Sequence, residues 1–156
     1  MTTPTSAIIH KNPASSSTTP LHMPHYANLY ATYSWEQTQH ELGISSKTGY
    51  NQASICLDDH PAEVMQRVAL YWHGCSGERE AYTFEALSKL SNQVAHMLVQ
   101  LGCQAGDRVF VFLDRIPELY TIVFGALKVK AIVGPLFSAF GPDALKDRLA
   151  DCQAKI

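Results

Sequence analysis

The spacing of apolar positions changes period several times along the chain, and each change predicts an element. Val68-Ala69-Leu70-Tyr71-Trp72 is a short run rich in β-branched, aromatic and other apolar residues, which predicts a strand. His73-Gly74-Cys75-Ser76-Gly77 reads as a turn, and Ala81-Tyr82-Thr83 as the returning strand of a small hairpin. The period then lengthens. Phe84, Leu87, Ser91, Val94, Leu98 and Leu101 recur at steps of three and four, which predicts a helix over 84–101 with one stripe turned to the core. Thr83 can cap its start, Glu85 suits the positive end of its dipole, and Gly102 can close it in a left-handed conformation. Gly106-Asp107 turns the chain into a strand over 108–112.

Pro117 suits the first position of the next helix. Its residues Leu119, Tyr120, Ile122, Val123, Phe124, Ala126 and Leu127 are apolar nearly all round, which predicts burial on more than one side. Ala131–Val133 reads as a short strand and 134–140 as a loop. Gly141-Pro142-Asp143 opens a last helix with Leu145, Leu149 and Cys152 on its inner face, and Lys155-Ile156 reads as the first step of a further strand. From Tyr82 onward strands and helices alternate, and this order predicts an α/β fold with a parallel sheet.

Upstream, Tyr26, Tyr30 and Tyr33 fall on one helical face. They suit either a helix strapped onto a larger body or a platform for a stacked base, although no basic residues interleave with them. A second helix is expected from about Tyr50 to Asp59, ended by His60-Pro61 because the residue before proline avoids the helical region. Residues 1–24, with the run Ser15-Ser16-Ser17-Thr18-Thr19-Pro20, are expected to be a disordered tail, since they offer too little apolar surface to offset the entropy of ordering.

Composition narrows the function classes. Apolar residues make up 46% and charged residues 17% of 156, as in an ordinary globular chain. The formal charge of −2 gives no electrostatic reason to expect nucleic acid or an anionic membrane as partner. No apolar run approaches the length of a membrane span. The N-terminus lacks the apolar core of a secretion signal, and no arginine precedes Arg67, so a cytoplasmic protein is expected. Cys56, Cys75, Cys103 and Cys152 have no metal-type spacing and read as reduced thiols.

Familiar catalytic constellations are missing from these residues. Neither G-x-G-x-x-G nor G-x-x-x-x-G-K-[ST] occurs, so two common phosphate cradles are lacking, and there is no G-x-S-x-G elbow. His22 and His25 have a spacing that could hold a metal, but no cysteine or acid stands near to complete a set. His40, His60, His73 and His96 stand alone. The Asp107-Arg108 and Lys146-Asp147-Arg148 clusters read as solvated charges at element ends.

Several segments, in order, carry a resemblance: Tyr33-Ser34-Trp35, Tyr82-Thr83-Phe84-Glu85-Ala86-Leu87, Gly106-Asp107-Arg108-Val109, Pro117-Glu118-Leu119-Tyr120, Gly134-Pro135-Leu136-Phe137 and Lys146-Asp147-Arg148-Leu149. From about residue 26 onward the chain resembles the N-terminal portion of AMP-forming acetyl-CoA synthetases, in the adenylate-forming superfamily. The resemblance implies that residues 25–156 are the N-terminal part of an AMP-binding domain: an incomplete adenylate-forming α/β fold, with a parallel βαβαβα unit preceded by N-terminal helices and a small hairpin. It implies an enzyme family using acetate, ATP, Mg and coenzyme A. The family's phosphate loop, its ribose-binding aspartate and the lysine of its mobile C-terminal domain have no counterpart among these residues. No catalytic or metal-binding residue is therefore placed on this chain, which is expected to be inactive alone and to bind none of these cofactors tightly. The alternative is a truncated paralogue acting as a binding or interaction module that pairs with another protein, and the expected partner in either case is the chain's own C-terminal portion or another chain. The resemblance also implies that Phe137, Ser138 and Ala139 lie beside the coenzyme A channel. The residues themselves also allow Phe137 and Phe140 to be core anchors, with Ser138 and Ala139 only turning the chain. Two positions depart from the family pattern: Ile116 stands where a capping residue usually precedes Pro117, and Lys130 stands where glycine usually ends the following helix.

Overall fold

The computed structural model describes residues 26–44 and 50–156. The tail expected over 1–24 and the His22/His25 pair lie outside the described residues. The chain forms two units, Met1–Glu41 and Leu42–Ile156.

In the first unit, α1 spans Tyr26–Thr32 and α2 spans Trp35–Glu41, and neither contains a buried residue. Tyr26 and Tyr30 stack along α1 with ring centroids 6.0 Å apart. Tyr33 does not continue that helical face: it lies past the end of α1, edge-on to Trp35 at 5.3 Å. Ser34 breaks the helix because its hydroxyl caps α2, accepting from the Gln37 N–H at 3.3 Å.

The second unit begins with a segment that is shorter than the helix expected from Tyr50. Asn51 accepts from the Ala53 N–H at 2.9 Å, and Ser54–Asp58 then winds as a π-helical turn, closed by Asp59 N–H to the Ser54 carbonyl at 2.9 Å. Ala53 and Leu57 are buried under this turn. A single helical turn, α3, follows at Ala62–Met65.

The hairpin forms as expected but longer: β1 (Val68–His73) pairs antiparallel with β2 (Arg79–Thr83), in one register from Leu70↔Tyr82 to His73↔Arg79, with a shift between Val68 and Leu70 that sets Val68 opposite Thr83. β2 therefore belongs to the hairpin, and the parallel part starts one strand later. Helix α4 (Phe84–Gln100) is capped by Thr83, whose hydroxyl accepts from the Ala86 N–H at 3.1 Å. Leu87, Ser91 and Leu98 are buried as the periodicity requires. Leu101 departs from that stripe and is 61% exposed, because the chain has left the helix there.

β3 (Arg108–Phe112) and β4 (Ile132–Leu136) pair in parallel, Arg108↔Ile132 through Phe112↔Leu136, joined by α5 (Pro117–Lys128). β4 extends through Gly134-Pro135-Leu136, which the sequence assigned to a loop. Gly134 lies beneath the Phe110 ring, where an added Cβ would stand 2.6 Å from a ring carbon, so the glycine lets the strand run close under that ring without displacing it. Helix α6 (Pro142–Asp151) has no buried residue: Leu145 and Cys152 are half-buried and Leu149 is exposed, a thinner inner face than expected. Lys155 and Ile156 then return to the free edge of β3. Their N–H groups donate to the Arg108 carbonyl at 2.9 and 3.4 Å, and Phe110 N–H donates to the Ile156 carbonyl at 2.8 Å, which is a parallel ladder pattern.

The core lies between α4, α5 and one face of the β3–β4 pair, and joins Leu98, Cys103, Val109, Ala126 and Ala131. Three helices end alike. α4, α5 and α6 each place a residue with positive φ just past the last turn: Gly102 at +82°, Lys130 at +59° and Gln153 at +50°. In each case that residue's own N–H and the next one fold back onto helix carbonyls, as in Gly102 to Val99 and Cys103 to Leu98, both at 2.9 Å, and Lys130 to Leu127 and Ala131 to Ala126, both at 3.0 Å. The motif drops Cys103 and Ala131 into the core beside the helix residues they bond. The fully buried residues of α5 are Pro117, Thr121, Gly125 and Ala126, while Leu119, Ile122, Val123, Phe124 and Leu127 are half-buried and Tyr120 stays 41% exposed.

Candidate functional site

Topology points to one place. The crossover β3–α5–β4 moves one strand over, and β4–α6 returns past β3 to its other edge. Parallel crossovers are right-handed, so two that run in opposite directions put their helices on opposite faces of the sheet. The loops leaving β3 and β4 must then part, and the crevice between them at the carboxyl ends of the strands is where open α/β sheets bind ligands.

A cavity of about 540 Å³ lies there, lined by Trp72, His73, Gly74 and Cys75 of the hairpin, Asp114, Arg115 and Ile116 after β3, and Phe137 and Ser138 after β4. That volume is in the range of small-molecule sites. The hairpin is tied to the β3 loop by Trp72, whose indole N–H donates to the Arg115 carbonyl at 2.8 Å. Gly74 lets the hairpin tip pack closely: a Cβ there would crowd the Glu78 carboxylate and stand 2.8 Å from the Trp72 ring, so one of these side chains would have to shift. Gly74 N–H donates to the Glu78 carbonyl at 2.9 Å and Gly77 takes φ +97°, so the tip is a closed turn that presents Cys75 and His73 outward.

On the opposite wall Phe137 is 59% exposed. The turn it begins is closed by the Phe140 N–H to the Phe137 carbonyl at 3.0 Å, and the two rings meet edge-on at 5.9 Å. Of the three residues placed beside the coenzyme A channel by resemblance, Phe137 and Ser138 line the cavity, while Ala139 is exposed and is not part of its lining. Phe140 is half-buried, so the anchoring role allowed for both phenylalanines belongs to Phe140 more than to Phe137. The cavity thus offers two aromatic surfaces, one guanidinium, one carboxylate, one imidazole and one hydroxyl. Its lining is of mixed polarity, and it has no glycine-rich phosphate cradle. Among the described residues no group of three His, Cys, Asp or Glu side chains could hold a metal ion.

Sequence reasoning gave no functional weight to Trp72, His73, Cys75, Asp114 or Arg115. The usable signal was the topological one: the first residues after β3 belong to the same crevice as those after β4.

The sequence matches the AMP-binding enzyme family over residues 57–156, the span that builds the hairpin, the core and the cavity. The chain belongs to this family. It is 36% identical to the acetyl-coenzyme A synthetase of Bacillus subtilis (strain 168) over 136 residues, covering 86% of this chain and 24% of that relative. It is 34% identical to the acetyl-coenzyme A synthetase of Campylobacter jejuni subsp. jejuni serotype O:23/36 (strain 81-176) over 106 residues, covering 68% of this chain and 16% of the relative. Among solved structures it is similar to the acyl-CoA synthetase of Brucella canis, with a TM-score of 0.76, 35% identity and coverage of 84% of this chain and 24% of the other. The chain therefore spans about a quarter or less of the relatives it matches. The mixed helix and strand arrangement described above is that of the N-terminal part of an adenylate-forming fold. The four cysteines are free thiols, and among the described residues no helix is long and apolar enough to cross a membrane.

Proposed function

We propose that this chain supplies the N-terminal part of an acetate–CoA ligase, and that its share of the site is a wall of the coenzyme A passage. In the parent reaction an acetate oxygen attacks the α-phosphorus of ATP and pyrophosphate leaves. The thiol sulfur of coenzyme A, having lost its proton, then attacks the acetyl carbon, and the bond to AMP breaks. The observation that supports this reading is the coincidence of two independent lines. The switch-point cavity is the place where topology calls for a ligand, and it is walled by Phe137 and Ser138, the residues that family resemblance sets beside coenzyme A.

Within that passage Phe137 and Trp72 offer apolar surface to the pantetheine chain, and Arg115 offers positive charge to a phosphate. ATP and Mg are assigned no residue here, because these 156 residues contain neither phosphate cradle named above. The chain by itself is accordingly a binding element without turnover. The cytoplasm is its proposed compartment, and its remaining partner is the rest of an adenylating fold, supplied by its own C-terminal portion or by another chain.

Titrating coenzyme A onto the protein tests this reading. With Trp35→Phe in the background, Trp72 is the remaining indole and reports on the cavity. A saturable change in its emission is expected, and it should be lost in Phe137→Asp. A flat titration at millimolar coenzyme A would remove the proposed role. ATP and acetate should give no pyrophosphate, and acetate-dependent release would overturn the claim that the chain is inactive alone.

A further inference from the structure

Phe137 is held by more than its own turn. Arg148, on α6, lies over the Phe140 ring with its guanidinium carbon 4.2 Å from the ring centroid. Phe140 in turn meets Phe137 edge-on at 5.9 Å, and their backbones are joined by the 3.0 Å hydrogen bond across the turn. Arg148 is itself oriented, because its Nη1 donates to the Ala144 carbonyl one turn earlier at 3.0 Å. The three side chains form one line from α6 to the cavity: cation, anchoring ring, wall ring.

We infer that Arg148 is a positioning residue for the cavity, setting the pose of Phe137 through Phe140. This rests on the reading of the cavity as a coenzyme A site only for its functional consequence; the positional claim stands apart from it. The physical reason is the exposure of each member. Phe137 is 59% exposed and has little packing to fix its ring, whereas Phe140 is half-buried. A ring so exposed takes its pose from its neighbour, and the neighbour takes its pose from the cation on its face. Arg148 is exposed, so its charge stays hydrated and the interaction is of the weaker surface kind. Among the described residues no acidic side chain forms an ion pair with Arg148, and its guanidinium lies on the Phe140 face instead. Asp147 and Asp151 stand on the same helix, and Asp143 at its start, and any charge variant must leave them unaltered.

The test uses Arg148→Ala, Arg148→Lys, Phe140→Leu and the double variant Arg148→Ala/Phe140→Leu. Fluorophenylalanine placed at Phe137 reads the ring environment without ligand, and Trp72 emission reads coenzyme A binding. The fluorine resonance should move in Arg148→Ala and return toward the parent position in Arg148→Lys, which keeps the cation. Coenzyme A binding should weaken about two- to five-fold in Arg148→Ala, the ratio expected for an exposed cation–π contact. The double variant should be no weaker than Phe140→Leu alone, since both substitutions cut the same line. An unchanged fluorine resonance in Arg148→Ala overturns the inference, whatever coenzyme A does. A moved resonance with no coenzyme A binding in any variant upholds the positional claim and refutes the cavity's proposed ligand. Equal movement in Arg148→Ala and Arg148→Lys would show that stem packing acts rather than charge, and would also overturn it. Because Arg148 is exposed, thermal midpoints should stay close to that of the parent, which separates this outcome from unfolding.

Discussion

Gly125 of α5 is pressed against Val94 of α4: a Cβ added at Gly125 would stand 2.6 Å from Val94 Cγ1 and 2.9 Å from the Ser91 carbonyl oxygen. The two helices touch backbone to side chain here, and this contact lets α5 sit over the β3–β4 pair with Ala126 fully buried.

Gly125→Ala should therefore destabilise the fold despite alanine's better helix propensity. The valine is β-branched and the carbonyl is backbone, so neither can move aside cheaply. A loss of about 1–3 kcal/mol is expected from overpacking, read as a lower urea midpoint at unchanged slope. Val94→Ala in the same chain should recover part of it. A Gly125→Ala protein at least as stable as the parent would show that the helices separate freely.

Lys128 ties three elements together. Its ammonium donates to Asp58 Oδ1 at 2.8 Å, to Asn92 Oδ1 at 2.7 Å and to the Ser88 carbonyl at 3.4 Å, and Ser88 Oγ donates to the same Asp58 oxygen at 2.6 Å. The lysine side chain is 9% exposed and the aspartate 31%, so Asp58 keeps some water. Lys128→Met should cost about 1–3 kcal/mol, below the figure for a fully buried pair because Asp58 remains partly solvated. The double variant Lys128→Met/Asp58→Asn should lose less than the sum of the two single losses. Additive losses in urea melts would show that the two groups are not coupled.

Asp107 predicts a specific acid response. Its carboxylate accepts from Lys155 Nζ at 2.6 Å and from the Gln104 N–H at 2.6 Å, and these bonds hold its pKa below the ordinary 3.8. A depressed folded-state pKa contributes stability above pH 3.8, and this is lost as pH falls through the lower folded value. The stability gap between the parent and Asp107→Asn should be widest near neutrality and shrink below pH 3.8. A gap that stays constant with pH would show that the charge is irrelevant there.

Lys130 adopts φ +59° where its neighbour motif at the end of α4 uses Gly102. The left-handed conformation costs an L-residue about 1–2 kcal/mol, and glycine avoids that cost while gaining entropy in the unfolded chain. Lys130→Gly should therefore stabilise by a net amount of about 0.5–1 kcal/mol, seen as a higher thermal midpoint. The Gly106 N–H to Lys130 carbonyl bond at 2.9 Å involves backbone alone and should survive. A lower midpoint would mean that the lysine side chain makes contacts worth more than the strain.

Elements with a local cause were legible in the sequence. Thr83, the stripe Leu87–Ser91–Leu98 and Gly102 specify α4 from cap to close, and Pro117 specifies the start of α5 even though Ile116 gives it no side-chain cap. The family was legible too, because its motifs come in order. The misread elements were those whose cause lies elsewhere in the chain. Residues 134–136 look like a loop until Phe110 is set across from Gly134, and Leu101 looks like core until the closing turn swings it outward. Tyr33 looks helical until Ser34 is found capping the next helix. Of the cavity, Phe137 and Ser138 were marked in advance through the family resemblance, whereas Trp72, Cys75 and Arg115 were not, because nothing in their own segments marks them.

The sequence by itself determined the order of most elements, the caps and stops of α4, the left-handed close at Gly102, and the kinship with AMP-binding enzymes. These follow from steric and hydrogen-bonding preferences that act within a few residues, or from motifs read in line. Only the tertiary structure decided that Trp72, Arg115 and Phe137 wall one cavity, that Arg148 reaches Phe137 through Phe140, and that Lys155-Ile156 lie against the edge of β3 opposite β4. Those relations depend on which way each crossover turns and where each helix packs, and pairings between residues far apart in sequence leave no periodicity in either segment alone.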